Sequence, residues 1–176
     1  MDRESISEVV RECLDEAFAN LRGKRAGAEE WTREIKRQLC LAGPAQEPAL
    51  HVCASGVEDA DGGEWLYDVC WLSYGEDPDC LNEVVLILEC EWGGAGADSG
   101  RIRDDFHKLV AGRARVRCMI WKDGNGRDDP AVVGWLAGMM GECVETAADD
   151  LYLLARYTAY GFQYWHLCGN GTVYPM

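Results

Sequence analysis

No stretch of this 176-residue sequence approaches the ~18 to 20 apolar residues of a membrane span. The best run, AVVGWLAGMM, is closed by Gly141 and Glu142, so no membrane partner is expected. The start, MDRESISEVV, lacks the basic region and apolar run of a secretory signal, and the expectation is a cytoplasmic protein. C-x-x-C pairs are missing too, which removes the ligand spacing of zinc sites. The nine cysteines, Cys13, Cys40, Cys53, Cys70, Cys80, Cys90, Cys118, Cys143 and Cys168, sit mostly in apolar runs and read as reduced, small buried hydrophobes. Histidines are few and isolated: His51, His107 and His166. A thiol enzyme would need an exposed cysteine of lowered pKa beside one of them. DGNGRDDP, residues 123–130, puts Arg127 where a calcium loop needs Asp or Asn, with no closing Glu, and reads as a turn.

Positive charge is also scarce. Seventeen Lys and Arg face 31 Asp and Glu, a formal charge of -14, which argues against a general nucleic-acid coat protein because phosphate repels such a surface. The deficit is uneven. Residues 101–122 carry Arg101, Arg103, Lys108, Arg113, Arg115, Arg117 and Lys122 against Asp104 and Asp105. That segment is +5 and the remainder -19. Such a strip could guide DNA to one face, and a solvated helix and strand edge would explain it equally well.

What is present is a core. The apolar fraction of 48% suits one folded domain spanning 1–176. From Ser5 to Arg22, Ile6, Val9, Val10, Cys13, Leu14, Ala17, Phe18 and Leu21 recur at helical spacing, with Ser5 or Ser7 as cap and Gly23 as stop. A second helix runs from about Ala28 to Leu41 on Trp31, Ile35 and Leu39, and AGP breaks it. Three strands follow, ALHVCAS, EWLYDVCWLS and EVVLILECEW, separated by turn chemistry and reading as a meander. After the flexible GGAGADSG come a helix from about Arg101 to Gly112, with Ile102, Phe106, Leu109 and Val110 inward, and the strand RVRCMIW. Pro130 suits the first turn of a helix reaching about Cys143, and LYLLARYTAYGFQYWHLC reads as a hairpin turning near Tyr160 and Gly161. The reading is α/β (α+β): residues 1–27 an N-terminal helical extension, 28–122 the core, 123–176 a helix and hairpin.

The third strand raises the chemical question. Alternation puts Glu89 and Glu91 on one side, with Leu88, Cys90 and Trp92 on the other. Two carboxylates about 6 to 7 Å apart repel unless water, a cation or a proton relieves them. Asp68 interrupts the apolar second strand, where aspartate is disfavoured. An antiparallel pairing of the two strands around YGEDPDCLN brings Asp68 and Glu89 close together, and three such carboxylates suit Mg²⁺ or Mn²⁺. The alternative is that Asp68 or Glu91 pairs with an arginine of the basic segment and closes the sheet edge.

Asp68 on the second strand and Glu89-x-Glu91 about twenty residues later, with a helix before and a helix and strand after, resemble the PD-(D/E)xK nuclease superfamily over residues 28–122. The resemblance implies a restriction-endonuclease-like mixed sheet flanked by helices. It implies Asp68 and Glu89 as Mg²⁺ or Mn²⁺ ligands, and Glu91 as a further ligand or the group that orients or deprotonates the attacking water. The motif's lysine is replaced by Glu91, which can accept a proton but cannot stabilise phosphate charge. Some members carry the lysine on a nearby helix, which raises Lys108. It lies about 145° from the centre of its helix's apolar stripe, the position of a solvated lysine. Glu34 and Lys36 on the second helix are further candidates. The implied activity is a metal-dependent DNA endonuclease, plausibly a homodimer. The other reading is a nuclease-fold protein without catalysis that serves as an acidic binding or immunity/defence partner.

Overall fold

The computed structural model describes residues 1–77, 79–94, 100–123, 131–144 and 146–176. Most of GGAGADSG and of DGNGRDDP, including Pro130, lies outside the described residues. The protein is mixed α/β, with four helices and seven strands of mixed direction among the described residues, one strand more than the six expected. Its contacts group into two compact units, Met1–Leu88 and Glu89–Met176.

In the N-terminal unit, α1 (Arg3–Leu21) buries Ile6, Val10, Leu14 and Ala17 completely, so it belongs to the core of this unit. Its cap is Asp2, whose Oδ1 accepts from the Ser5 N–H at 2.8 Å, and not Ser5 or Ser7 as expected. Aspartate caps as well as serine, and starting two residues earlier places Ser7 in the buried face. Helix α2 (Ala28–Gln46) packs beside it, with Phe18 and Trp31 ring centroids 6.1 Å apart. The helix runs five residues past the expected break and contains Pro44. Proline in a last turn removes one hydrogen bond, and packing outweighs that loss. Gly43 lies so close to the strands that an added Cβ would meet Val52 Cγ2 at 3.0 Å and the Trp71 ring at 3.2 Å.

Strands β1 (Leu50–Ala54) and β2 (Val69–Tyr74) are antiparallel, Val52 facing Trp71. Strand β2 also pairs antiparallel with β3 (Leu81–Gly94), Val69 facing Leu88 and Trp71 facing Leu86. The meander is as read, and Val85, Leu86, Ile87 and Leu88 are all buried, as a strand covered on both faces requires. The start of β2 differs from expectation. It begins at Val69, so Asp68 precedes the strand, in keeping with the poor strand propensity of aspartate.

Strand β3 carries the chain into the C-terminal unit. There α3 (Gly100–Ala111) buries Ile102, Phe106 and Leu109. Strand β4 (Val116–Asp123) runs parallel to β5 (Leu151–Thr158), from Val116 opposite Leu151 to Lys122 opposite Tyr157. Parallel neighbours need a crossover, and α4 (Ala131–Glu142) lies in it. Strand β6 (Gly161–Cys168) closes the expected hairpin. Gly161 adopts φ 140°, open to glycine alone, and its carbonyl accepts from Thr158 Oγ1 at 2.7 Å. An unexpected β7 (Val173–Pro175) pairs with β6. At three residues ending in proline it carries no periodic signal and suits an edge.

Candidate functional site

Asp68 lies in the N-terminal unit; Glu89, Glu91 and Lys108 lie in the C-terminal unit. The Asp68 Oδ1 is 3.0 Å from the Nζ of Lys36, which α2 contributes. Lys36 is only 5% exposed. Its ammonium also donates to Ser55 Oγ at 3.2 Å and lies 3.6 Å from Glu64 Oε2, while Ser55 Oγ donates to that same oxygen at 2.7 Å. The close pair with Asp68, the hydrogen bond to Ser55 and the second negative charge of Glu64 nearby make a buried lysine tolerable. Ser55 and Glu64, on the loop between β1 and β2, carried no sequence signal of their own.

Glu34, the other α2 candidate, is a structural tie. It accepts from Arg37 Nε and Nη2 at 2.9 and 2.7 Å, Gln38 at 2.8 Å and Asn20 of α1 at 2.9 Å. The Arg37 hydrogen bonds, followed by those of Gln38 and Asn20, overcome burial and hold its carboxyl at about 2. A carboxylate so fully donated to has little left for a metal ion.

In the C-terminal unit Glu89 is 5% exposed on β3, and Lys108 reaches it from α3, Nζ to Oε1 3.1 Å. The same ammonium donates to Asp105 Oδ1 at 2.7 Å. The hydrogen bond to Asp105, then that to Glu89, raises the Lys108 pKa above its ordinary value against the opposing effect of burial. The helical wheel is right about the stem, since the side chain is 52% exposed, and misleading about the head, because a four-carbon chain bends back to the strand. Asp105 escaped notice although it stands three residues before Lys108, a spacing at which helical side chains meet. Glu91 takes other partners: its Oε1 accepts the Gly93 N–H at 2.7 Å and lies 3.9 Å from Arg101 Nη1. The arginine alternative is therefore met loosely at Glu91, whereas Asp68 takes a lysine.

Among the described residues, no group of three or more His, Cys, Asp or Glu side chains gathers into a metal-holding cluster. The basic segment is not one uniform strip. Arg117 is buried at 5%, its Nη1 3.2 Å from Asp150 Oδ1, its Nε donating to the Gly112 carbonyl at 2.9 Å and its guanidinium 5.0 Å from the Tyr152 ring centre. Arg101, Arg103, Arg113 and Lys122 are exposed.

For the thiol expectation, His51 and Cys53 share a side of β1, and His51 Nδ1 lies 3.9 Å from Asp61 Oδ2. Burial, then the charge of Asp61, pushes the Cys53 thiol up, opposite to what an activated nucleophile requires. No family model, curated protein or solved structure matches the chain.

Proposed function

We propose that the protein is a metal-dependent phosphodiesterase acting on DNA, built on a restriction-endonuclease-like arrangement. In this reading Asp68 and Glu89 are Mg²⁺ or Mn²⁺ ligands, Glu91 is a further ligand or the base toward water, and Lys108 replaces the lysine missing from the strand. The observation that carries it is the 3.1 Å approach of the Lys108 ammonium to Glu89. Oxygen donors on one strand suit a hard divalent cation. When bound, such an ion would lower the pKa of water and neutralise phosphate charge. Lys108, half exposed, has the reach to hold a phosphate oxygen while Glu91 accepts a proton from the attacking water.

The pairing of Asp68 with Lys36 favours a second reading, a nuclease-fold protein without catalysis that acts as an acidic binding or defence partner. Calorimetric titration with Mn²⁺ separates the two. Wild type should bind and Asp68→Asn/Glu89→Gln should not, with the single variants showing whether each acid contributes. Lys108→Ala should then keep the metal and lose about a hundredfold in cleavage of DNA. No heat in wild type and double variant alike would leave these acids as structural groups and favour the partner protein.

A further inference from the structure

Within the N-terminal unit one buried cation holds both Glu64 and Asp68, and the residues between them are Trp65, Leu66 and Tyr67. Lys36 lies 3.6 Å from Glu64 Oε2 and 3.0 Å from Asp68 Oδ1, so α2 fixes both ends of this short stretch. The chain before it is fixed as well. The Asp61 and Gly62 N–H groups donate to the Val52 carbonyl at 2.9 and 3.3 Å, and the Ala54 N–H donates to the Gly62 carbonyl at 3.0 Å. Asp61 Oδ2 accepts from the Val52 N–H at 2.8 Å, and Ser55 Oγ donates to Glu64 Oε2 at 2.7 Å. The loop from Ser55 to Asp68 is thus tied to β1 and to α2.

A loop so tied has no folding reason to show large apolar side chains to water, yet Trp65 is 48% exposed and Leu66 65% exposed. Scattered exposed apolar residues are ordinary. Two adjacent ones on a stretch held at both ends form a knob whose backbone is already ordered. The charge around it is of one sign. Glu58, Asp59, Asp61 and Glu64 are exposed on the same loop, and the chain holds no Lys or Arg from residue 38 to residue 100. Two cations of α2 stand by the loop and both are engaged. Lys36 is enclosed by its acceptors, and Arg37, whose charge interacts with Asp59, is hydrogen-bonded to Glu34 at 2.7 and 2.9 Å.

We infer that this loop docks a partner protein, and that the partner offers Trp65 and Leu66 an apolar pocket rimmed by lysine or arginine. Tryptophan buries a large area in such a pocket and gives up little rotamer freedom on entering it. The ties to β1 and α2 spare the cost of ordering the loop at that moment. The acids decide the occupant. They repel nucleic acid and an anionic membrane surface, and a second copy would bring a charge of -14 against -14, whereas a basic protein surface is drawn in. The inference goes beyond both readings of the carboxylates, since a docking loop serves an enzyme and a non-catalytic protein alike.

The test is to pan a phage-displayed library of random peptides on wild type, with chelator present and the folded Trp65→Ser/Leu66→Ser protein as counter-selection. Peptides that join a large apolar residue to Lys or Arg should be enriched. In fluorescence anisotropy the most enriched peptide should bind less tightly as salt rises. Trp65→Ser, with unchanged circular dichroism, should weaken that binding about thirtyfold. Glu58→Gln/Asp59→Asn, at two acids that take no part in tying the loop, should weaken it severalfold and flatten its salt dependence. Glu89→Gln should bind as wild type does, so failure of the metal site and failure of the docking loop are told apart. Sedimentation velocity should show no self-association that depends on Trp65 and Leu66. The inference is overturned by no enrichment over the double variant, by enriched peptides without Lys or Arg, by unchanged binding to folded Trp65→Ser, or by a wild-type dimer that the double variant loses.

Discussion

Lys36 and Lys108 each face two carboxylates, and they differ in what surrounds them. Lys36 is 5% exposed, and its ammonium is shared among Asp68, Glu64 and Ser55. Lys108 keeps half of its side chain in water while gripping Glu89 and Asp105. A lysine enclosed by its acceptors is fixed in place, because leaving them exposes a charge to a low-dielectric interior. A lysine with a solvated stem can exchange partners at small cost. The first is enclosed by the groups it pairs with, and the second pairs from a side chain that stays half in water.

The sharpest way to break the comparison is Lys36→Ala. It deletes the cation from among part-buried acceptors and should cost about 3 kcal/mol of stability, read by urea denaturation. A loss well under 1 kcal/mol would mean that Lys36 is no more structural than Lys108.

Glu34→Gln should cost about 2 kcal/mol at neutral pH, because hydrogen bonds to a charged group are replaced by neutral ones. The sign with pH follows from the depressed carboxyl. With the folded-state value at about 2 against an ordinary 4.5, the wild-type advantage is complete above about pH 4.5 and fades as pH falls towards 2. Denaturation of both proteins between pH 2 and 6 should show the two curves converging at the acid end; parallel curves would remove Arg37, Gln38 and Asn20 as the cause.

The sequence made the element order legible up to the last strand, because that information is periodic. Ile6, Val10 and Leu14 mark a helix face, Val85 to Leu88 a covered strand, and Gly161 a turn. The ends of elements were harder. Whether α2 stops at Leu41 or continues through Pro44 is decided by Val52 and Trp71 closing on Gly43, neighbours that local propensity does not contain. The same limit applies to the site. Asp68 and Glu89 stood out as acids among apolar residues, but Ser55, Glu64 and Lys36 converge from a loop and a helix through tertiary packing alone. Lys108 was placed correctly on its helix, and the bend of its side chain lies beyond any wheel.

The smallest expected effect lies at Lys108 and sharpens the comparison most. Lys108→Gln should change stability by less than about 1 kcal/mol, since a half-exposed ion pair is screened and its attraction offset by side-chain entropy. Glu89, though buried, keeps a hydrogen-bond donor at that position. The pKa of Lys108 is raised in the folded state, so whatever it contributes is fully present below its ordinary value of 10.5 and is lost as pH rises through the higher folded value. Urea denaturation at pH 7 and near pH 11 should therefore show a small wild-type advantage that shrinks at the alkaline end. A loss at pH 7 as large as that of Lys36→Ala would place both lysines in the same structural class and count against the proposed catalytic role of Lys108.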